Sequence, residues 1–304
     1  MDTIATADGP GVTDRSSRVH RLSSGRRIGY AEYGDPHGLP VIALHGTPGS
    51  RFMFALTDGG ARAGGLRVIV PERPGYGLSE IHRFETLADT ASDVEALADA
   101  LGLDRFAMIG VSGGGPHAIA VAHRLKSRIL RLVLVSPVGP VAECDHIRMS
   151  HLHRLIFSHT STSHHAAPTF FSTLRTLIDW APSVAYSLLM QQVTATDCDV
   201  LNRSEVRDNL QAALREALRP GIDGALQDLK LYCAPWGVNL GEIDVPTFMW
   251  QGGEDTVVPP DAAFYLAGAL PNCRLEIIEG AGHYWVFGGF DRVIGTLREA
   301  WPKP

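Results

Sequence analysis

The chain has 304 residues, of which 45% are apolar, and its formal net charge is −6 at pH 7. This length and apolar content allow a substantial buried core, in one large domain or two smaller ones. The slight acidity and the lack of a long basic run argue against a nucleic-acid partner, and no apolar run reaches the roughly 18 residues that a membrane-spanning helix needs.

The four cysteines are far apart in the sequence and form no C-x-x-C pair. Their spacing favours neither a zinc site nor a disulfide framework, and reduced thiols fit a cytoplasmic protein. Residues 1–17 are polar and lack the basic-then-apolar layout of a signal peptide. We expect these residues to form a mobile N-terminal tail.

Short apolar runs alternate with helical patterns in the first part of the chain. A hairpin is predicted over residues 19–33, and buried strands are predicted over 41–44 and 67–70. Helical patterns follow these strands over 51–64 and 86–101. Uniformly apolar strands that alternate with helices predict a parallel sheet covered by helices on both faces.

A strand, a sharp turn and a helix are predicted over residues 106–120, FAMIGVSGGGPHAIA, and a further apolar strand is predicted over 130–135. Gly110 and Gly114 remove the Cβ atoms that would clash in so tight a turn, which pushes Ser112 Oγ out over the end of the sheet. The N–H of Gly113 faces the same space. This pattern is the G-x-S-x-G nucleophile elbow, although the motif alone is weak in a chain with 32 glycines, and a turn serine without chemistry is the alternative.

Residues 141–240 break the alternation, because they contain no apolar run typical of a strand. Their apolar residues follow helical spacings over 170–178, 186–190 and 206–218. A helical segment inserted between two strands, at the rim where ligands bind, is typical of a lid.

The alternation returns in the last part of the chain. Strands are predicted over 245–251 and 274–278, with a helix over 260–270 between them and a final helix over 290–301. Ligands of a parallel sheet bind outside the carboxyl ends of its strands, so side chains that follow the strands should line one rim. The candidates for that rim in the first half of the chain are His45, Arg73, Ser112 and Ser136.

Four motifs in this order resemble those of the α/β-hydrolase superfamily over about residues 18–301. They are HG at 45–46, G-x-S-x-G at 110–114, GGED at 252–255 and GAGH at 280–283. The RPGYGLS loop at 73–79 is also similar to that of members with a helical cap.

The resemblance implies an eight-stranded, mostly parallel sheet with helices on both faces and a helical cap between the sixth and seventh strands. The α/β core would consist of residues 18–140 and 241–304, and the cap of residues 141–240.

A Ser-His-Asp triad is the catalytic constellation that the motifs predict. Ser112 is the candidate nucleophile, His283 the base that takes its proton, and Asp255 the carboxylate that orients His283. Glu254 is the neighbouring alternative, and Asp255 is preferred because it occupies the family's motif position. Some relatives place the acid after the sixth strand, but residues 136–140 contain no carboxylate.

The oxyanion hole is expected to consist of the backbone N–H groups of Thr47 and Gly113. His45 is expected to be a structural residue of its loop rather than a base. Tyr284 and Trp285, beside the candidate base, are candidates for the walls of a substrate pocket, and His45 is counted with them as a candidate substrate contact.

Six histidines lie in the first part of the predicted cap. They are His146, His151, His153, His159, His164 and His165. Their spacing without acidic or cysteine partners is a weak metal signal, and a solvated or pH-sensitive surface is the simpler interpretation. We expect neither a metal nor an organic cofactor.

The predicted activity is that of a serine hydrolase, which cleaves a carboxylic ester or related acyl bond of a small molecule with an apolar part. The resemblance argues against haloalkane dehalogenases and epoxide hydrolases, which carry Asp at the elbow. It also argues against proline iminopeptidases, because Thr47 stands where those enzymes have the second glycine of HGGPG. A C–C bond hydrolase or lyase, a haloperoxidase side activity and a small-ligand receptor with little turnover remain alternatives.

Overall fold

The structure is a computed structural model that describes residues 14–141 and 165–301. Its strands are β1 (Arg18–Arg21), β2 (Arg27–Gly34), β3 (Leu39–Leu44), β4 (Leu66–Pro71), β5 (Phe106–Val111), β6 (Ile129–Val135), β7 (Thr247–Gly252) and β8 (Cys273–Ile278). The described helices are α1 (Asp58–Ala63), α2 (Thr90–Ala100), α3 (Gly114–Arg124), α4 (Ala166–Trp180), α5 (Pro182–Met190), α6 (Ala195–Leu201), α7 (Ser204–Leu218), α8 (Asp223–Cys233), α9 (Pro260–Ala269) and α10 (Val286–Arg298). Short 3₁₀ helices occupy Arg51–Thr57, Leu87–Asp89 and Leu240–Glu242.

The eight strands form one sheet in the order β1-β2-β4-β3-β5-β6-β7-β8. β2 is antiparallel to both β1 and β4, and the strands from β4 to β8 in that order are parallel. The predicted eight-stranded, mostly parallel sheet is therefore confirmed. Because β3 and β5 to β8 all run in one direction, the loops that follow them meet at one edge of the sheet.

Helices cover both faces of this sheet. Ile42 and Leu44 of β3 pack in one hydrophobic cluster with α2, α3 and α9, and Val41 and Ala43 pack in the other with α1 and α10. The alternation is the period-two pattern of a strand that is buried on both faces. None of the described helices is long and apolar enough to cross a membrane.

Three of the predicted helices differ from those observed, and the one predicted over 86–101 begins with the 3₁₀ helix Leu87–Asp89 before α2. The helix predicted over 51–64 is divided into a 3₁₀ helix (Arg51–Thr57) and α1. The final helix begins at Val286, before the predicted start at residue 290. Gly288 and Gly289 conceal this start in the sequence, and the backbone is kinked at Gly289, where φ is −124°.

The predicted mobile tail is wrong for its last residues. The carbonyl of Arg15 accepts a hydrogen bond of 2.8 Å from the N–H of Glu32, and the carbonyl of Ser16 accepts one of 2.7 Å from Nε of Arg51. Residues 15 and 16 are therefore attached to the sheet and to the loop that follows β3. Residues 1–13 of the predicted tail lie outside the described residues.

Helices α4 to α8 lie between β6 and β7, and we call residues 165–233 the insert. Arg51 joins the insert to the sheet, because its Nη1 donates to Glu72 at 2.9 Å and to Glu216 of α7 at 2.6 Å. Ser50 Oγ adds a hydrogen bond of 2.9 Å to the carbonyl of Ala213. Arg51 is 3% exposed, so this ion pair is desolvated and depends on having both of its carboxylate partners.

Candidate active site

Ser112 lies at the junction of β5 and α3, with a backbone φ of +52°. Its carbonyl accepts hydrogen bonds from the N–H groups of Gly115 at 2.9 Å and Val138 at 3.1 Å, which fix this left-handed turn. A Cβ at Gly110 would lie 2.7 Å from the carbonyl oxygen of Gly114, and a Cβ at Gly114 only 2.2 Å from that of Leu44. The two glycines are thus required by close backbone approach, as the sequence predicts.

His283 and Asp255 are hydrogen-bonded to each other, with 2.7 Å between Nδ1 and Oδ2. The other oxygen of Asp255 accepts the N–H groups of Val257 at 2.9 Å and Val258 at 2.8 Å. Asp255 is buried and Glu254 is exposed, so the structure places Asp255 and not Glu254 against the imidazole. With Nδ1 donating to Asp255, Nε2 of His283 is left to accept a proton.

His283 and Ser112 line the same cavity. Burial of His283 lowers the pKa of its imidazole, but the nearby carboxylates of Asp255 and Asp197 outweigh that effect, and the pKa is raised above its ordinary value. A raised pKa means that this site stabilises the imidazolium, the state that a base reaches once it has taken a proton from a hydroxyl.

Two backbone N–H groups adjoin the candidate nucleophile. No hydrogen bond to another described residue uses the N–H of Thr47 or of Gly113. Both residues line the cavity with Ser112, and a Cβ at Gly113 would lie 2.4 Å from Thr47 Oγ1. The loop after β3 and the start of α3 are therefore in contact, which is the arrangement that an oxyanion hole needs.

A buried carboxylate from the insert lies behind these N–H groups. Asp228 of α8 is 2% exposed and accepts hydrogen bonds from Arg73 Nη2 at 2.6 Å, from the hydroxyls of Tyr76 and Thr47 at 2.7 Å each, and contacts His117 Nε2 at 3.1 Å. Burial alone would raise the pKa of this carboxyl group, but Arg73 and His117 hold it well below its ordinary value. Asp228 is thus an ionised carboxylate with every oxygen satisfied.

Arg73, the partner of Asp228, also binds the loop after β3. Its Nη1 donates to the carbonyl of His45 at 2.5 Å, and its Nη2 donates to that of Gly46 at 3.0 Å. On the other side, the hydroxyl of Tyr232 from α8 donates to the carbonyl of Gly113 at 2.7 Å. One helix of the insert therefore fixes both backbone segments of the candidate oxyanion hole.

The structure does not place two of the predicted substrate contacts on the cavity. His45 is fully buried behind its loop, where Nδ1 donates to the carbonyl of Gly46 at 2.8 Å and the ring packs edge-on against Tyr76. Trp285 packs against Trp250 between the sheet and α10, with ring centroids 6.1 Å apart. Of the three predicted contacts only Tyr284 lines the cavity, so we propose no substrate contact for His45 or Trp285.

The cavity has a volume of about 660 Å³ and a largely apolar lining. The 3₁₀ helix after β3 contributes Met53 and Phe54, and the insert contributes Phe170, Leu174 and further apolar side chains. Arg215 is the one lining residue among those described with a permanent charge. Its side chain is exposed and its Nη2 donates to the carbonyl of Ile178 at 2.9 Å. Such a lining favours an uncharged, apolar ligand.

The predicted histidine-rich segment is described only at His165, which is exposed; its other five histidines lie outside the described residues. Within residues 14–141 and 165–301, no group of three or more His, Cys, Asp or Glu side chains is arranged so that it could hold a metal ion.

Sequence reasoning missed Asp228 and Asp197, the two buried carboxylates of the insert. Asp228 interrupts an apolar stripe formed by Ala225, Leu229 and Tyr232, and an acid within such a stripe is a signal that could have identified it. Asp197 follows Thr194 by three residues, a pattern that indicates only a helix start.

Comparison with known proteins points to a single family. The family model for the alpha/beta hydrolase fold matches residues 40–290. A non-heme chloroperoxidase from Streptomyces lividans is 30% identical over 272 residues, which cover 86% of this chain and 91% of that protein. A 2-hydroxy-6-oxo-6-phenylhexa-2,4-dienoate hydrolase from Comamonas testosteroni is 25% identical over 268 residues, which cover 84% of this chain and 85% of that protein. Among solved structures, a thermophilic esterase from Thermogutta terrifontis shares the fold, with a TM-score of 0.64 and 22% identity over 93% of this chain and 97% of that one.

The Asp228–Arg73 pair generates the first testable prediction. Asp228→Asn is expected to lower the free energy of unfolding by about 3–5 kcal/mol, because it leaves a buried guanidinium without its counter-charge. Asp223→Asn is the matched control, since Asp223 is exposed at the start of the same helix, and it is expected to cost less than about 1 kcal/mol. Urea denaturation at pH 7 measures both values, and equal losses would contradict the prediction.

Proposed function

The chain belongs to the α/β-hydrolase fold family, and on that basis we propose that it is a serine hydrolase that cleaves carboxylic esters through an acyl-enzyme. The observation that carries this proposal is the hydrogen-bonded His283–Asp255 pair, whose imidazole shares a cavity with Ser112 at the strained turn after β5. A carboxylate-oriented imidazole beside a serine of this kind is the arrangement that activates a hydroxyl for attack on a carbonyl.

In the proposed reaction, Ser112 Oγ attacks the ester carbonyl while Nε2 of His283 takes the hydroxyl proton. The N–H groups of Thr47 and Gly113 donate to the oxyanion of the tetrahedral intermediate, and the imidazolium is stabilised by Asp255. His283 then gives its proton to the alkoxide, which departs as an alcohol. The acyl group remains bound to Ser112. A water molecule, deprotonated by His283, attacks the acyl carbonyl, and the returning proton restores the Ser112 hydroxyl.

All acid–base and electrostatic groups in this scheme come from the protein, so the proposed reaction uses no metal or organic cofactor. A cytoplasmic location is part of the same proposal. It is supported by Cys198 and Cys273, which are free thiols in the structure and fit a reducing compartment.

We further propose a neutral ester with an apolar acyl chain as the substrate. One relative is named for a dienoate, which carries a carboxylate. Burial of a carboxylate without a cationic partner is costly, and the described part of the cavity lining offers only the exposed Arg215. The apolar lining therefore favours the ester over the C–C bond substrate, although the proposed triad is compatible with both.

Covalent labelling tests the role of Ser112. A fluorophosphonate probe is expected to label the wild-type protein, and Ser112→Ala is expected to abolish both labelling and ester hydrolysis, because it removes the hydroxyl that His283 is proposed to activate. Ser136→Ala is the matched control and is expected to be labelled like the wild-type protein. Ser136 also has a positive φ, of +45°, at the end of the neighbouring strand, but it is only 1% exposed. Labelling that survives in Ser112→Ala would refute the assignment.

The role of Asp255 is tested by neutralising each of two adjacent acids. Asp255→Asn is expected to lower kcat by about four orders of magnitude, since the amide cannot accept the Nδ1 proton and hold the imidazolium. Glu254→Gln is expected to remain within about twofold of wild type, because Glu254 is exposed and the hydrogen bond to His283 Nδ1 comes from Asp255. Steady-state kinetics with a p-nitrophenyl ester gives both values; the reverse order of effects would transfer the role to Glu254.

The preference for a neutral substrate is tested by two esters of equal length. The kcat/KM for p-nitrophenyl octanoate is expected to exceed that for the mono-p-nitrophenyl ester of octanedioic acid by about a hundredfold, because the second ester would bury an unpaired carboxylate. Equal values for the two esters would contradict the proposed substrate class. Faster cleavage of a 2-hydroxy-6-oxo-dienoate than of either ester would favour the C–C bond hydrolase instead.

A further inference from the structure

Asp197 of α6 contacts the backbone of the loop that carries His283. Its Oδ2 accepts the N–H of His283 at 2.8 Å, and its Oδ1 accepts the N–H of Tyr284 at 2.7 Å. The residue is fully buried. Among the described residues no cation pairs with this carboxylate, so the two backbone N–H groups are its principal hydrogen-bond donors.

The loop is shaped to receive this carboxylate. A Cβ at Gly282 would lie 2.1 Å from Asp197 Oδ2 and 2.5 Å from Thr194 Oγ1, far inside van der Waals contact. Thr194 is also the N-cap residue of α6, and its Oγ1 accepts the N–H of Asp197 at 3.2 Å. The glycine that precedes His283 in the GAGH motif is therefore needed for the close approach of α6.

Apolar contacts hold α6 and the loop together on the same side. Leu201 of α6 and Tyr186 of α5 belong to a small hydrophobic cluster against which Tyr284 and Phe287 pack. Tyr186 also donates its hydroxyl proton to the carbonyl of Leu201 at 2.5 Å. The Tyr284 ring, in turn, contacts the edge of the His283 ring, with centroids 5.3 Å apart.

We propose that Asp197 is a positioning residue for the catalytic base: from the insert, it fixes the backbone of His283 and Tyr284 so that the imidazole reaches both Asp255 and Ser112. The insert thus supplies part of the catalytic machinery in addition to covering the cavity. This inference rests on the proposed function, because it assigns Asp197 a task in the same reaction.

The charges around His283 give the proposal a measurable signature. The ionisable groups that face the imidazole are Asp255 from the loop after β7, Asp197 from α6 and the Tyr284 hydroxyl, whose pKa is raised by burial so that it stays neutral. Arg203, which precedes α7, lies farther along, against Gly288. Asp197 raises the pKa of His283, so its removal should lower that pKa. A base must be unprotonated to act, and the acid limb of the pH profile should therefore move to lower pH.

The test compares Asp197→Asn with Asp199→Asn, which removes the same charge from an exposed position of the same helix. The Asn side chain of Asp197→Asn has only one oxygen that can accept a backbone N–H. Its NH₂ group would face the other backbone N–H, so one of the two hydrogen bonds to the loop is lost. We expect kcat/KM for a p-nitrophenyl ester to fall by about tenfold to a hundredfold, as for a displaced catalytic group. We also expect the acid limb of the profile to move to lower pH, while Asp199→Asn keeps the wild-type rate and profile.

A fall in rate without movement of the acid limb, or the same behaviour in both variants, would overturn the proposal. Amide hydrogen exchange of the wild-type protein provides a measurement that does not depend on the variant folding. The N–H groups of His283 and Tyr284 are expected to be strongly protected, and exchange at the rate of an open loop would also overturn it.

The proposed function and the role of Asp197 can fail separately. If wild-type protein hydrolyses no ester and binds no fluorophosphonate, the proposed function fails. The imidazole of His283 can still be titrated by NMR, with its signal identified by its loss in His283→Gln. A lower pKa in Asp197→Asn than in Asp199→Asn would then support the contact, and equal values would refute it.

Discussion

The arrangement of the site depends on one buried ion pair, Arg73 with Asp228. Both side chains are almost fully buried, and removing two charges from water costs several kcal/mol per ion unless geometry and hydrogen bonding compensate. Here they do: the carboxylate also accepts the hydroxyls of Tyr76 and Thr47, and the guanidinium also donates to backbone carbonyls of the loop after β3. Because every polar group of the Arg73–Asp228 pair is hydrogen-bonded, the pair has one favourable geometry. That geometry fixes the loop after β3.

The same principle explains how the insert is attached to the sheet. An apolar interface alone can slide, because dispersion contacts are weak individually and have little directional preference. Buried polar contacts prevent that movement here, and three of them involve a carboxylate of the insert: Arg51 between Glu72 and Glu216, Asp228 with Arg73, and Asp197 with the backbone of His283 and Tyr284. Each of them has a partner in a loop at the carboxyl edge of the sheet. The apolar side chains between these contacts can therefore line a cavity while the insert keeps its position on the sheet.

The sequence predicts those parts of the molecule that have local patterns. The eight strands follow from apolar runs and their alternation with helices, and the elbow at Ser112 follows from glycine spacing that the turn requires. The position of Asp255 beside His283 follows from motif order, because both come after neighbouring strands β7 and β8. The sheet is confirmed, and the structure shows the turn at Ser112 and the contact of Asp255 with His283, whereas the catalytic roles of these residues are proposals.

Long-range contacts of the insert leave no such pattern, and they account for what the sequence could not predict. Asp197 meets a residue 86 positions later, and Asp228 meets Arg73, which is 155 positions earlier. Nothing local distinguishes Asp197 from an ordinary acid in the first turn of a helix. For His45 and Trp285, proximity to a motif in sequence suggested substrate contact, but His45, directly after β3, and Trp285, at the start of α10, are both buried in the core.

The distribution of these contacts divides the insert into two parts. Helices α6 and α8 carry the carboxylates that contact the candidate base and the oxyanion loop, so changes there alter the site itself. Helices α4 and α5 contribute Phe170, Leu174 and Leu189 to the cavity, and these side chains pack against hydrophobic clusters of the structure. Substitutions that preserve volume on α4 and α5 can change the shape of the cavity without disturbing a buried charge. The buried carboxylates of the insert therefore lie on α6 and α8, whereas α4 and α5 contribute apolar side chains to the cavity lining.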